Sequence, residues 1–431
     1  MKTISTPEFE KEVLQGGKVV VDFYSIECAP CEALAPKFES CAEVYGNDIT
    51  FVKIFRQENR ELAVNYGVKS SPSVLFFENG KQVGAMLTGG IKRSELMAQL
   101  DAMISPQRAT ELKSKIRKTE SHYDTVILGG GPAGLAAAIY LGQAKVKTAL
   151  IDRALPGGQI STTHQVSNYP GFIEPVNGFM LAHYMSEQAK ATGVEFKSAV
   201  DVTSVDLKTK TIVIDDVETV HFKYLILATG ASPRPLGIEG EKEYKGHGIS
   251  YCATCDAKYF EDKEVIVIGG GNSAIEESNF ISKFASKITV VHQFDVLQAN
   301  KEAQEKAFAN PKINFRFESE PRAFMKDGNK MSVSIENLKT RKMEILSADG
   351  IFVFVGMKPN LDMFKDRFDI DQWGYIKVSN EMETSESGVY SVGDINSKKF
   401  RQITTAVADG TIAAIAISRN SNEQTLCTTR G

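Results

Sequence analysis

The chain has 431 residues, which is too long for one hydrophobic core and predicts two or three domains. Its net charge of -4 leaves no basic surplus, so the composition argues against nucleic acid or an anionic membrane as a partner. No apolar run reaches the roughly 18 residues that cross a bilayer, and residues 1–8 hold no apolar signal core. We therefore expect a cytoplasmic protein without a membrane segment.

Six cysteines occur as two Cys-x-x-Cys pairs, at 28–31 and 252–255, and as two single residues, Cys41 and Cys427. Two thiols separated by two residues close a small disulfide ring reversibly, and in a cytoplasmic chain such pairs indicate redox chemistry rather than structural cross-linking. A structural zinc site needs four ligands from neighbouring segments, whereas the two pairs fall in different predicted domains. Histidines such as His221 stand without partners at ligand spacing, so no metal is expected.

The first cysteine pair follows a short apolar segment. Residues 19–24 have the pattern of a buried strand, they lead directly into the pair at 28–31, and a helical pattern follows. This order places Cys28 at a helix N-terminus, where free amide groups and the helix dipole favour the thiolate. Residues 1–105 resemble thioredoxin over their whole length.

The thioredoxin resemblance implies roles for individual residues. Cys28 would be the nucleophile and Cys31 the resolving thiol. Asp22 would be buried near them, and Pro72 would follow a cis peptide bond beside the disulfide. Glu27 departs from the family, which usually has tryptophan immediately before the first cysteine. A carboxylate there should disfavour the thiolate and change the surface that docks partners.

Residues 106–121 are polar and charged with almost no apolar face, which predicts a mobile or partly helical tether. Tethering two redox partners raises their effective concentration when the linker spans the gap between them.

A dinucleotide fingerprint begins after this tether. A short apolar strand at 123–128 precedes the glycine-rich turn 129–134 and a small-residue helix, and a second strand ends at Asp152. A glycine turn between a strand and a helix, followed by an acid, is typical of dinucleotide binding. Gly129 would make the bend, Gly131 would let a pyrophosphate approach the backbone, and Gly134 would permit close helix packing. Asp152 would meet the ribose hydroxyls.

The glycines alone do not distinguish FAD from NAD. Segments 156–160, 168–172, 225–231 and 390–394 resemble the FAD domain of the low-molecular-weight thioredoxin reductases, and the resemblance covers about residues 122–420 in order. It implies that Asp394 binds the ribityl region of FAD. The residues expected to bind FAD are Gly129, Gly131, Pro132, Ala133, Gly134, Asp152, Gly158, Gln159, Asn168, Ala228, Thr229, Gly230, Gly393, Asp394, Arg401 and Gln402.

A second glycine turn, in 269–274, follows the strand pattern 264–268 and precedes another strand at 288–291. The residues expected at this nicotinamide nucleotide site are Gly269, Gly271, Asn272, Ser273 and Ala274. In thioredoxin reductases, arginines after the second strand bind the 2'-phosphate of NADPH, but 292–298 contains no arginine. NADPH is therefore doubtful.

Three electron donors stay open. NADH is possible because the glycine turn is intact, although no acid ends the second strand to hold a 2'-hydroxyl. Reduced ferredoxin could instead reach the flavin directly, as in some anaerobe reductases that resemble this family. NADPH could be held by other residues, such as Lys283 or Lys287.

The second cysteine pair is followed at once by an acid. By the same resemblance, Cys255 lies near the flavin, Cys252 exchanges with the thioredoxin disulfide, and Asp256 supplies the proton. Rotation of the smaller domain about connectors near 233–235 and 356–360 would let one pair face two partners in turn.

The predicted fold class is α/β, a thioredoxin fold followed by two nested Rossmann-like three-layer dinucleotide-binding domains. The domains are 1–105, a linker at 106–121, an FAD-binding domain from 122–233 and 361–431, and a pyridine-nucleotide-type domain at 234–360.

The resemblance implies a FAD-dependent thioredoxin reductase fused behind its own thioredoxin, acting on protein disulfides and forming a homodimer, with ferredoxin as a candidate partner. One alternative is a flavoprotein disulfide reductase that serves a peroxiredoxin, of the alkyl hydroperoxide reductase type. That type carries two thioredoxin-like units, whereas about 105 residues precede the linker here. The other alternative is a redox-sensing protein whose nucleotide sites are relics.

Overall fold

A computed structural model describes residues 1–163, 166–364 and 366–428, with side chains described to residue 421. The side chain of Cys427 lies outside the described part. The chain forms two compact units: Met1–Gly158, Met180–Gly230 and Leu361–Gly431 make the first, and Gln159–Phe179 with Ala231–Asn360 makes the second. Among the described residues, no helix combines the length and apolarity needed to cross a membrane.

The first unit begins with a five-stranded mixed sheet in the order β1-β3-β2-β4-β5. Its central strand is apolar on both faces because helices cover the sheet on both sides. The strands are β1 (Lys2–Ile4), β2 (Lys18–Tyr24), β3 (Thr50–Phe55), β4 (Ser73–Glu78) and β5 (Lys81–Thr88). The helices are α1 (Thr6–Phe9), α2 (Ala29–Tyr45), α3 (Arg60–Asn65) and α4 (Arg93–Ala102), with a π-helical turn at Glu10–Leu14.

The segment expected as a tether contains helix α5 (Pro106–Ser114), which begins with Ser105 as its N-cap. Ala109 and Leu112, three residues apart on one face, are buried against the thioredoxin-like part. The Arg108 guanidinium pairs with the Asp48 carboxylate at 2.9 Å. Only residues 115–118 then connect α5 to the next strand, while the domain limits themselves stay a prediction.

The next sheet has seven strands, six of them in the order β8-β7-β6-β11-β10-β9, and β22 (Val389–Ser391) pairs with β11. Strands β6, β7, β8, β11 and β22 are parallel. Strand β7 and the last four residues of β6 and of β11 are continuously buried, as expected where both faces of a parallel sheet are covered. The elements between α5 and residue 230 are β6 (Thr119–Leu128), α6 (Pro132–Gln143), β7 (Thr148–Ile151), α7 (Gly178–Lys190), β8 (Glu195–Lys197), β9 (Val202–Asp206), β10 (Thr211–Ile214) and β11 (Glu218–Leu227).

The second unit contains a five-stranded parallel sheet in the order β13-β20-β14-β15-β16 and an antiparallel sheet β17-β18-β19. Its elements are β12 (Ala231–Pro233), α8 (Glu241–Tyr244), β13 (Ile249–Ser250), α9 (Ala253–Asp256), β14 (Glu264–Ile268), α10 (Asn272–Ile281), β15 (Lys287–Val291), α11 (Lys301–Ala309), β16 (Ile313–Arg316), β17 (Ser319–Asp327), β18 (Lys330–Asn337), β19 (Met343–Ala348), β20 (Gly350–Val353) and β21 (Met357–Pro359).

The two connectors expected as hinges pair with each other. Strand β12 runs antiparallel to β21, and the Arg234 amide donates to the Gly356 carbonyl at 2.9 Å. The chain then returns to the first unit with β22 (Val389–Ser391) and the long helix α12 (Ile403–Thr428). The α/β class, with a thioredoxin fold and two Rossmann-type folds, is as predicted.

Candidate active site

The first disulfide joins Cys28 and Cys31, whose Cα atoms are 5.2 Å apart. Cys28 is the N-cap of α2, and its Sγ accepts a hydrogen bond from the Cys31 amide at 3.3 Å. Cys31 is buried, while Cys28 is half-buried at the surface. Because an amide hydrogen bond and a helix start both favour a thiolate, the geometry supports Cys28 as the nucleophile.

The Ser71–Pro72 peptide bond is cis, as the resemblance implies. The Ser71 carbonyl oxygen lies 3.5 Å from Cys28 Sγ, so this loop borders the disulfide. On the other side, Ile26 is 66% exposed and Glu27 is exposed, with the left-handed φ of 51°. Where the family usually has tryptophan, this chain therefore presents the carboxylate of Glu27 beside the exposed apolar side chain of Ile26.

Asp22 is buried on β2, opposite Lys53 of β3. Its Oδ1 atom has no hydrogen-bond partner within the described part of the chain. Burial raises the pKa of the Asp22 carboxyl to about 6, and the charge of Lys53 opposes this shift. The expectation of a buried Asp22 is thus met, and the group titrates in a range suited to proton exchange.

Asp22→Asn is expected to stabilise the thioredoxin-like part at pH 8 by up to about 3 kcal/mol, because the shift from 3.8 to about 6 disfavours the folded carboxylate. The folded state binds the proton more tightly, so wild-type stability falls as pH rises from about 4 to 6, and the variant should lack this fall. Calorimetric unfolding of the full chain between pH 4 and 8 measures it. Glu61→Gln, at an exposed site, is the control; equal pH dependence in all three proteins would contradict the prediction.

The second disulfide repeats the local geometry of the first. Cys252 and Cys255 have Cα atoms 5.4 Å apart, and Cys252, the N-cap of α9, accepts from the Cys255 amide at 3.2 Å. Cys255 is exposed and Cys252 is half-buried. Neither cysteine is buried, as a thiol pair that exchanges with two partners requires.

Asp256 is positioned by Ser250. The Ser250 hydroxyl donates to the Asp256 carboxylate at 2.6 Å and accepts from the Cys252 amide at 3.1 Å. One buried hydroxyl thus links the acid to the backbone of the redox pair. This places the acid on the same turn as both thiols, where it can move a proton to a leaving thiolate.

The first glycine turn is closed to side chains. A Cβ on Gly129, whose φ is 112°, would overlap the Ala228 carbonyl, and one on Gly134 would overlap the Gly129 carbonyl. A Cβ on Gly158 would lie 3.0 Å from the Gly131 Cα. The backbone at the start of α6 is consequently bare, which suits a pyrophosphate at the helix N-terminus.

Asp152 supports this turn directly. Its carboxylate accepts from the Gly130 amide at 2.6 Å and from the Ala154 amide at 2.8 Å. Burial raises the pKa of Asp152, while these two hydrogen bonds lower it. Ribose binding by Asp152 stays a prediction.

Asp394 is a largely buried acid in the same unit as the first glycine turn. Its Oδ1 atom has no partner within the described part of the chain, and burial raises its pKa. The Arg401 guanidinium donates to the Asp394 carbonyl at 3.4 Å and stacks 3.9 Å from the centre of the Tyr375 ring. A bare glycine cradle with an unsatisfied buried carboxylate fits a bound dinucleotide, since buried polar atoms normally have partners.

The remaining predicted FAD residues divide between the two units. Gln159 and Asn168 belong to the second unit, where the Gln159 amide donates to the Ala231 carbonyl and Asn168 is exposed. The members that share the first unit with the glycine turn are Pro132, Ala133, Ala228, Thr229, Gly230, Gly393 and Gln402.

The second glycine turn is also intact, with Asn272, Ser273 and Ala274 opening α10. A Cβ on Gly269 would overlap the Phe354 carbonyl, while one on Gly271 meets open space. The buried ring of His292 lies against Gly270, and burial lowers the His292 pKa. The end of β15 therefore carries an uncharged ring near neutral pH, not a cation.

Arg316 is a candidate that the sequence did not reveal. Strand pairing places it opposite Val291, and its carbonyl accepts from the His292 amide at 2.9 Å. Its guanidinium lies 3.8 Å from the Glu344 carboxylate and is half exposed. The segment that follows β15 in sequence does not contain Arg316, which comes from the neighbouring strand β16.

The expectation that His221 lacks a partner is wrong. Pairing of β6 with β11 sets His221 opposite His122, with the rings stacked 4.4 Å apart. Potential ligand atoms of both histidines and of Glu120 lie within 4.8 Å of one another. The cluster sits at the N-terminal end of β6, away from the glycine turn, and the expected absence of a metal stays a prediction.

Comparisons with known proteins follow the same division. A family model described as pyridine nucleotide-disulphide oxidoreductase matches residues 123–410, and a model described as thioredoxin matches residues 1–102. The chain is 46% identical over 302 residues to a thioredoxin reductase of Peptoclostridium acidaminophilum, covering 68% of this chain and 96% of that one.

Two solved structures are similar as well. A thioredoxin reductase of Lactococcus lactis in the FR conformation gives a TM-score of 0.66 at 40% identity, covering 69% of this chain and 98% of that one. A thioredoxin reductase of T. acidophilum gives 0.65 at 32% identity, covering 70% and 99%.

Proposed function

Since the chain belongs to the pyridine nucleotide-disulphide oxidoreductases, and within them to the thioredoxin reductases, we propose that it passes electrons from FAD to Cys252–Cys255 and then to its fused thioredoxin disulfide. The observation that carries this proposal is the repeated geometry of the two pairs, each with its first sulfur capping a helix and accepting an amide. An enzyme of this family is favoured over the redox-sensing alternative.

The exchange between the pairs can be written with balanced electrons. The Cys252 thiolate attacks Cys28 Sγ, the Cys28–Cys31 bond breaks, and Cys31 leaves as a thiolate that takes a proton. The Cys255 thiolate then attacks Cys252 Sγ, which restores the Cys252–Cys255 disulfide and frees Cys28. Asp256, held by Ser250 at 2.6 Å, is placed to hold and return the proton.

Bound FAD would supply two electrons to the Cys252–Cys255 disulfide. The residues proposed to hold it are the glycines of the 129–134 turn, Gly158 and Asp394, whose buried Oδ1 is unsatisfied within the described residues. The proposal extends to Gln159, Asn168, Arg401 and Gln402 by family resemblance.

We propose that the electron donor is NADH or reduced ferredoxin rather than NADPH. The uncharged His292 ring at the end of β15 offers no counter-charge to a 2'-phosphate, and residues 292–298 contain no arginine. Arg316, which pairs with Val291 at the end of β15, is a candidate that could reverse this preference.

The donor is tested anaerobically by following flavin absorbance after separate additions of NADH, NADPH and reduced ferredoxin. At about 100 µM nucleotide we expect NADH or ferredoxin to bleach the flavin at least about tenfold faster than NADPH. Arg316→Ala is the matched variant. Rapid bleaching by NADPH in the wild type that is lost in Arg316→Ala would contradict the proposal and assign Arg316 as the phosphate ligand.

Protein disulfides are the proposed final acceptors. Service to a peroxiredoxin differs only in the protein that oxidises Cys28 and Cys31, and no contact among the described residues favours it. A homodimer and a cytoplasmic location remain parts of the proposal; light scattering on the purified chain tests the first.

A further inference from the structure

Lys37 is a buried cation between the thioredoxin-like part and the FAD-domain part of the first unit. It lies on α2, beyond the Cys28–Cys31 pair, and is 7% exposed. Its ammonium donates to three carbonyls: Ile91 at 3.1 Å, Ser198 at 2.8 Å and Ala199 at 2.7 Å. The first belongs to the thioredoxin-like part and the other two follow β8, so one side chain joins both.

The Lys37 ammonium needs all three of its N–H groups to satisfy the three carbonyls. Burial lowers the pKa of Lys37 to about 8, with the charges of Asp215 and Asp201 opposing the shift, so the side chain is still protonated at pH 7. A protonated lysine has three N–H groups, one for each carbonyl. Removing the ammonium would leave buried carbonyls unsatisfied, which is costly.

Asp201 provides a second connection from the FAD-domain part. Its carboxylate accepts from the Lys92 ammonium at 2.7 Å and from the Ser94 hydroxyl. A third pair, Glu32 with Lys190 at 3.0 Å, is more exposed and contributes less. The charges of the two surfaces are therefore complementary.

Gly90 brings the two backbones close together. A Cβ placed on Gly90 would lie 3.1 Å from the Leu155 Cγ and 3.6 Å from the Ala199 Cβ. Its backbone needs no left-handed φ, so the position requires glycine for space alone. A larger side chain would force the surfaces apart without straining the loop.

Ile26, Glu27 and Cys28 of the redox face do not take part in the contacts described above. Cys28 remains half-buried, and Ile26 and Glu27 beside it are exposed. The contacts come from Lys37 and the loop at 90–94, which are farther from the disulfide along the chain, and from Glu32, which follows Cys31 on α2 and pairs with Lys190.

We propose that Lys37 anchors the fused thioredoxin on a docking surface of the FAD domain, formed by Leu155, Lys190 and residues 198–201, in an orientation that leaves Cys28 open to a protein disulfide. The meaning of this orientation rests on the proposed function, in which Cys28 delivers electrons to protein disulfides. The docking itself does not.

Docking is tested by amine labelling of the full chain with an N-hydroxysuccinimide acetate, followed by mass spectrometry of each lysine. In the wild type, Lys37 should react at least about tenfold more slowly than the exposed Lys81. Gly90→Leu, which wedges the surfaces, and Asp201→Ala, which removes their second connection, should each bring Lys37 close to the Lys81 rate. Gly17→Leu is the control, because its Cβ meets open space.

Fast labelling of Lys37 in the wild type, or slow labelling in both variants, would overturn the docking surface. The two variants lie on different domains, so misfolding of one leaves the other to decide. Circular dichroism verifies that each is folded.

The orientation is tested by alkylating the reduced chain with iodoacetamide and following the Cys28 peptide. The Cys28 rate should agree within about twofold between wild type and Gly90→Leu, since docking leaves that thiol open. A Cys28 rate that rises about tenfold on undocking would show a covered thiol and overturn the orientation. Neither readout involves electron flow from FAD, so failure of the proposed function would appear separately in the activity of a Cys28 variant.

Discussion

Cys28→Ser is expected to lower insulin-disulfide reduction by the full chain at least about 1000-fold, while the donor still reduces the flavin at a rate within about twofold of wild type. Serine oxygen can neither accept electrons from Cys252 nor attack a protein disulfide, so the last two exchanges are lost. The Cys252–Cys255 pair lies in the second unit and keeps its own geometry, so the earlier steps should continue. Anaerobic flavin bleaching measures the reduction of the flavin, and insulin turbidity measures the reduction of a protein disulfide. Both are measured on one preparation.

Cys41→Ser is the matched control, because Cys41 is a free, buried cysteine of the same helix with its pKa raised by burial to about 11. A thiol in that environment stays protonated and unreactive, so activity should remain within about twofold. Loss of flavin reduction in Cys28→Ser would contradict the proposed order of electron transfer. Full insulin reduction in that variant would show that Cys252 and Cys255 act on proteins without the fused domain.

Asp394→Ala is expected to change flavin affinity and protein stability in opposite directions. If the buried carboxylate binds FAD, its loss should weaken FAD binding by about 10 to 100-fold. This corresponds to about 1.5–3 kcal/mol, the contribution of a hydrogen bond to a charged group. The apo chain should become more stable by about 1 kcal/mol, because a buried acid with an unsatisfied oxygen is removed. Flavin titration and apo melting temperature measure the two effects.

Asp369→Ala, at an exposed position of the same domain, should change neither quantity. A fall of both affinity and apo stability in Asp394→Ala would mean that the carboxylate supports the fold rather than the flavin. Unchanged affinity would remove Asp394 from the proposed FAD site.

Residues whose role depends on near neighbours in the chain could be predicted from the sequence. The glycine turns and the two Cys-x-x-Cys pairs act through backbone geometry within a few residues, and the structure places each at a strand-to-helix or loop-to-helix junction. The resemblance to thioredoxin and to thioredoxin reductases then supplied the fold class.

Residues brought together by strand pairing or domain packing could not be predicted this way. Arg316 reaches the end of β15 from the next strand, and His122 meets His221 across two parallel strands. Ala109 and Leu112 are two small apolar contacts within a charged segment, too few to give a clear amphipathic pattern. Lys37 finds its acceptors far along the chain, and its burial has no local signal.

The pairing of β12 with β21 also has a consequence for engineering. The chain leaves the FAD domain through β12 and re-enters it through the adjacent antiparallel strand β21. The nucleotide-type domain is therefore an insertion between two paired strands. This domain could be removed by joining Pro233 to Met357 through a tight turn. The seven-stranded sheet and the chain segments before Pro233 and after Met357 would be retained. The segment between these two strands, which also carries Cys252, Cys255 and Asp256, therefore lends itself to exchange as a single cassette.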